Sequence, residues 1–220
     1  MSKKRQPPAL HTVYREYLVS QDLEAFAAQV AERYTIGTLE RLTVTGDRMA
    51  RRAAVLAVGR IADFSSNAVL GRALTDDDRG VRMLADNGIR LLWCRIGNGQ
   101  EQSRLDDVIE LVSTRRFQAA VDGATQLIAR APAVAETWNQ RAIALFNLGR
   151  FAQSIHDCQQ ALEYNPYHFA AATGMGHCHL KSNDRPAALR CFHRALALNP
   201  SLEGVRAHVQ YLQRTLKRQE

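Results

Sequence analysis

The sequence predicts an all-α protein, an α-solenoid of stacked helix–turn–helix repeats. Three observations predict it. Pro132, Pro166 and Pro200 recur every 34 residues, and the residues between them recur in phase. Residues 37–96 carry a second period, of 31. Every long segment has helical apolar spacing, and none alternates with the period of two that a half-buried strand requires.

The elements follow in chain order. Residues 1–8, Met-Ser-Lys-Lys-Arg-Gln-Pro-Pro, form a basic stretch without an apolar core. They predict a disordered tail and no secretory signal. Residues 9–97 predict a helical cap followed by two repeats. In the cap, Tyr14, Leu18, Phe26, Val30 and Tyr34 supply apolar positions, and Gln21-Asp22-Leu23-Glu24 marks a helix start. In the repeats, Leu39 aligns with Leu70, Asp47 with Asp78, Arg51 with Arg82, Ala54 with Ala85 and Val58 with Ile89. Each reads as a short helix, a polar turn and a longer helix whose acidic first residues suit its positive dipole end. The polar, glycine-containing run from Gly97 to Ser103 predicts the break between domains, with a linker over 98–103.

Residues 104–201 predict three repeats of 34 residues. Phe117 and Phe151 share a column that Arg185 breaks. Ala120, Ser154 and Ala188 are all small, which lets paired helices approach closely. Val121, Ile155 and Leu189 are all aliphatic. Gly149 and Asn183 suit turns that need a positive φ. Asn165-Pro166 and Asn199-Pro200 stop helices, because proline lacks the amide donor and biases its predecessor away from α. Residues 202–220 predict a capping helix with Val205, Val209, Leu212 and Leu216 on one stripe.

These columns resemble the tetratricopeptide repeat (TPR) family. The second unit carries the pattern best, in Trp138, Gly149, Phe151, Ser154, Cys158, Ala161 and Pro166. The third supplies Gly176, Ala188, Phe192, Ala195 and Pro200, while the first lacks the early aromatic and the early glycine. The earlier half resembles short HEAT-like repeats, through Leu74, Asp76, Val81, Arg82 and Ala85. That resemblance implies a ladder of Asp76 and Arg82, with Arg51 at the matching place in the preceding unit and Thr45 where its Asp should stand.

Composition limits the functions. Hydrophobic residues make up 46% of the chain, enough for a core, with no run long enough to span a membrane. Cys94, Cys158, Cys178 and Cys191 have no framework spacing, which predicts reduced thiols and a cytoplasmic protein. The net charge of +7 is spread over both halves, and the skew to 25 arginines against four lysines reads as base composition rather than phosphate binding.

No catalytic constellation emerges. The chain has no Gly-x-Ser-x-Gly and no phosphate-binding glycine loop. His177, Cys178, His179, Cys191 and His193 invite a zinc reading. Consecutive helical residues point about 100° apart, so the first three cannot share a face, and His179 falls on the column near Phe192. Asp76-Asp77-Asp78 reads as a turn and helix cap rather than a calcium loop. The expectation is therefore no metal, no cofactor and no enzyme activity.

The TPR resemblance implies a concave groove lined by the first helix of each unit. Its columns here are Gln102, Leu105, Ile109 and Val112, then Glu136, Asn139, Ile143 and Phe146, then Ala170, Thr173, His177 and Leu180. Chaperone-binding members clamp a C-terminal carboxylate with Lys and Asn at such columns. Here Leu105 and Ile109, or Asn139 and Ile143, stand there, so the clamp is not present. The groove reads as apolar, with Asn139 bonding a partner's backbone and Ile143 and Phe146 as anchors. The plainer alternative is that some of these residues pack inside the protein.

The first expectation is therefore a cytoplasmic, non-catalytic protein–protein adaptor or scaffold that binds a peptide segment or amphipathic helix. The second is nucleic-acid binding by an arginine strip, Arg48, Arg52 and Arg60 on one helix with Arg79 and Arg90 on the next. No aromatic residues interleave to stack on bases, which favours an ordinary solvated face. The third is an accessory subunit of a modification enzyme, because short HEAT-like repeats occur in some bilin-attachment lyases.

Overall fold

The computed structural model describes residues 9–95 and 99–217. Among these lie thirteen α-helices and one 3-10 turn, and no strand. The expected tail, the Gly97–Asn98 part of the expected break, and residues 218–220 of the expected cap lie outside the described residues. The chain divides into two compact units, residues 1–92 and 93–220.

The first unit contains α1 (Ala9–Ser20), α2 (Leu23–Arg33), α3 (Ile36–Thr45), α4 (Arg48–Ile61), a 3-10 turn (Phe64–Ser66), α5 (Asn67–Ala73) and most of α6 (Arg79–Trp93). Short polar side chains set its helix starts. Asp22, Thr35 and Asp47 cap α2, α3 and α4 by accepting from the amides of Ala25, Thr38 and Ala50. Asp78 does the same for α6 through Val81 N, at 2.9 Å. Each such cap stabilises by about 1 kcal/mol.

The period of 31 is a burial pattern. Leu39 and Leu70, Ala54 and Ala85, and Val58 and Ile89 are all fully buried. Where α4 meets α6, Gly59 and Gly88 bring the two backbones together. A Cβ on Gly59 would stand 2.7 Å from the Gly88 Cα, so only glycine fits.

The second unit contains α7 (Gly99–Ser113), α8 (Phe117–Arg130), α9 (Ala135–Asn147), α10 (Phe151–Tyr164), α11 (Phe169–Lys181), α12 (Arg185–Leu198) and α13 (Glu203–Leu216). Each packs on the next, and α9 also touches α7 and α11. Residues 99–103, expected as linker, instead open α7. Gln100, Glu101 and Gln102 are good helix formers, and Gln102 Nε2 donates to Cys94 O at 2.7 Å and to Asp106 at 2.9 Å. Helix propagation outweighs the local glycine signal here.

The turn within each repeat has one shape. Arg115, Gly149 and Asn183 take φ of 60°, 75° and 60°, at the same place in three successive units. The first 34-residue repeat thus adopts the left-handed turn at Arg115 although it lacks the glycine. The turn between repeats is equally regular. Asn165 and Asn199 end α10 and α12, and their side chains accept from Tyr167 N and Ser201 N at 3.1 and 3.0 Å.

The small column is buried at all three positions, Ala120, Ser154 and Ala188. Ser154 is accommodated because its hydroxyl donates to Ala142 O at 2.8 Å. Around it a core of Trp138, Ala142, Ala161, Met175, Phe192, Ala195 and Leu212 joins α9 to α13. Gly176 gives Phe192 its space, since a Cβ there would come within 2.5 Å of the ring.

The shared left-handed turn makes opposite predictions at equivalent sites. Gly149→Ala forces an L side chain into that region and lowers unfolding free energy by about 1 kcal/mol. Arg115→Gly relieves the same strain and raises the urea midpoint. Equilibrium unfolding of both variants checks the signs.

Candidate functional site

The expected groove columns fall on α7, α9 and α11, and the structure treats them unequally. Leu105 is fully buried, and Glu136 and Asn139 are buried. This corrects their expected role as groove-lining contacts. Glu136 is the centre of a closed polar network. It accepts from Asn139 Nδ2 at 3.2 Å and Gln140 Nε2 at 2.6 Å. His168 Nε2 lies 2.9 Å from its other oxygen. Because His168 Nδ1 accepts from Ala171 N at 3.2 Å, Nε2 carries the proton and donates to Glu136. Burial raises the Glu136 pKa, but the bonds from His168, Gln140 and Asn139 outweigh it and hold the carboxyl below its ordinary value.

Trp93, the first residue of the second unit, covers this network. Its indole stacks on the His168 ring at 4.1 Å and 19°, and meets Phe169 at 5.1 Å. The amide of Asn139 is therefore occupied inside the fold rather than offered to a partner.

The remaining columns stay partly open. Ile143 is 38% exposed. Gln102, Ile109, Val112, Ala170 and Thr173 are half-buried. Phe146 is also half-buried and leans on Phe151 of α10, with centroids 5.5 Å apart. Leu180 packs on the core and His177 on Phe192 at 5.2 Å. The histidine beside Phe192 is thus His177. His179, expected there, lies 3.6 Å from Asp184 instead, two residues further round the helix.

The His–Cys run points in three directions. His177 faces Phe192, Cys178 donates to Ser154 at 3.1 Å, and His179 approaches Asp184. Among the described residues no group of three or more His, Cys, Asp or Glu is gathered for a metal. Burial pushes the Cys94 thiol up to about 12 and raises those of Cys158, Cys178 and Cys191. All four therefore stay protonated at neutral pH, the inert form of the side chain.

In the first unit the arginines meet aspartates. Arg51 makes two bonds of 2.9 Å to Asp76, from α4 to the turn before α6. Arg82 Nη1 donates to Asp76 O and Asp77 O at 2.7 and 3.0 Å, which closes the same turn. Arg52 grips Asp78 at 2.6 and 2.8 Å, with Arg48 3.5 Å from it. Arg60 pairs with Glu24, and Arg90 with Asp86 at 3.3 Å. Arg79 is exposed. Most of the expected strip is thus neutralised by carboxylates, which weakens it as a phosphate-binding surface.

Residues 135–168 match the model of the tetratricopeptide repeat. The chain carries a tetratricopeptide repeat over these residues. A TPR repeat-containing protein of Rhizobium etli is 29% identical over 126 residues, which cover 57% of this chain and 62% of that protein. The Hsp70-Hsp90 organizing protein of Triticum aestivum is 30% identical over 95 residues, covering 43% of this chain and 16% of that protein. The chain thus spans less than two thirds of either relative. The first TPR of Spaghetti (RPAP3), solved with an HSP90 peptide, aligns with a TM-score of 0.52 at 20% identity over 55% of this chain and 96% of its own. That likeness shows the fold.

One feature of the TPR unit gave no sequence signal. Arg141 donates to Asp157 at 2.7 and 2.9 Å and to Thr125 at 3.0 Å, and its guanidinium lies 5.0 Å from the Trp138 ring centre. The group borders an open cavity of about 440 Å³ that also includes Arg150 and His156. An Arg and an Asp 16 residues apart carry no local pattern. The Glu136–His168 pair, 32 residues apart, likewise carries no local pattern.

Two outcomes follow. Asn139→Ala leaves Glu136 short of a buried donor and costs about 1–3 kcal/mol, visible as a lowered melting temperature. Asp78 has a carboxyl lowered to about 2, first by the Arg52 bonds and, against the opposing effect of burial, by Val81 N and the charges of Arg52 and Arg48. A depressed carboxylate stabilises above its unfolded value and loses that stability as pH falls through its folded value. Stability of the wild type should therefore decline from about pH 4 to pH 2, and Asp78→Asn should flatten that decline in pH-dependent denaturation.

Proposed function

We propose that the protein is a non-catalytic adaptor that binds an apolar peptide segment or amphipathic helix on the face formed by α7, α9 and α11. One observation carries this reading. Ile143 is 38% exposed in the middle of α9, within the repeat that matches the family model, while the columns before it are closed by the Glu136 network. A large apolar side chain left open beside half-buried Ile109, Phe146 and Thr173 suits an apolar anchor. The wheat relative and the Spaghetti repeat, the latter solved with an HSP90 peptide, support binding of a protein segment as the function. An acidic chaperone tail fits less well. Asn139 is tied to Glu136, and Leu105, Ile109 and Ile143 are apolar where a carboxylate clamp needs cations. No helix among the described residues is long and apolar enough to cross a membrane, and the cytoplasm is the compartment we propose.

Affinity capture from a cell lysate tests the reading, with wild type and Ile143→Asp each at low and high salt. Wild type should retain a partner at both salts, and the variant should lose it at least tenfold while its melting temperature stays within a few degrees, because the site is exposed. Equal capture by both proteins would overturn the proposal. The peptide SRMEEVD, added as a fluorescent probe, should show no saturable binding.

A further inference from the structure

The last helix is held by an aromatic cluster that contains two histidines. α13 docks through Val205, Val209 and Leu212, which complete the core of α9 to α12. Beside that stripe, His208 stacks on Phe192 of α12 at 5.3 Å and 13°. Its ring also meets His177 of α11 at 5.1 Å and 83°, and His177 meets Phe192 at 5.2 Å and 71°. Three rings from three helices thus form one contact. Neutral imidazoles fill it as ordinary aromatic surfaces.

Protonation changes that balance. One imidazolium over the Phe192 face gains some cation–π attraction, but two imidazoliums with centroids 5.1 Å apart repel. The titratable neighbours do not relieve the repulsion. On α11, His179 is turned to Asp184. On α12, Cys191 is buried near Arg190, Arg194 and Asp184, and His193 contacts Gln213 of α13. On α13, Glu203 and Arg206 stand in the first turn. The charge that acts on His177 is that of His208, and with burial as the larger cause it lowers the His177 pKa.

We propose that α13 is an acid-released cap, docked through the Phe192–His177–His208 ring cluster and loosened when that cluster takes up positive charge. A base whose folded pKa is lowered takes up its proton more readily in the undocked state, so docking is unpenalised above the ordinary imidazole value and weakens as pH falls below about 6.5. Release uncovers Phe192 and the apolar side of α12 at the end of the array. The proposal concerns this end alone and stands apart from the groove around Ile143.

Hydrogen exchange of the whole chain at about pH 7.5 and about pH 5.0 tests it, with protection factors corrected for the intrinsic pH dependence. The protection of α13 relative to α9 should fall about tenfold at the lower pH, as expected for a locally opening element. His208→Phe keeps the ring and removes the charge, so it should abolish most of that fall. An unchanged ratio in the wild type, or the same fall in His208→Phe, would sink the proposal. A wild-type NMR titration gives a readout that needs no variant. His177 titrating below the ordinary imidazole range supports the proposal, and titration at or above that range overturns it.

Discussion

The second unit depends on how closely antiparallel backbones approach at one column. Ala120, Ser154 and Ala188 place no bulk between the helices of a pair. Close approach then requires a tight reversal, and the left-handed residues Arg115, Gly149 and Asn183 supply it at the same place in each repeat. The next reversal is held by the side chains of Asn165 and Asn199, where proline prevents the helix from continuing. Core residues such as Phe192 and Leu212 fill the space that this geometry leaves, and fully burying each stabilises the fold by about 1.5–3 kcal/mol.

The same packing decides where polar chemistry can reside. Glu136 and His168 lie inside the stack, and each needs the other to be tolerated there. The thiols of Cys158, Cys178 and Cys191 are buried and protonated, and His177 and His179 face different neighbours, Phe192 and Asp184. What the fold leaves to solvent is therefore a shaped surface with a few open apolar side chains. A surface of that kind suits contact with another chain, as in the role proposed above.

The first unit handles its charges differently. Its arginines are numerous, but Asp76 and Asp78 stand at the turn before α6 and draw Arg51, Arg52 and Arg48 toward them. The bidentate geometry holds α4 against that turn while Asp78 also caps α6. One carboxylate thus does two structural tasks, and the positive charge nearest it is held locally.

The sequence by itself determined the helices, the two periods, the left-handed turns at Gly149 and Asn183 and the small column. These features are local or periodic, and a period repeated three times leaves little freedom in pairing the helices. Only the tertiary structure decided which of the groove columns face solvent. Ile143 and Asn139 stand four residues apart on one helix face, yet one is open and the other is closed beneath the network around Glu136. That difference comes from His168, distant in sequence, and from the ring of Trp93 upon it. The register of a helix sets the direction of a side chain, but what covers that side chain depends on contacts between segments that share no local pattern.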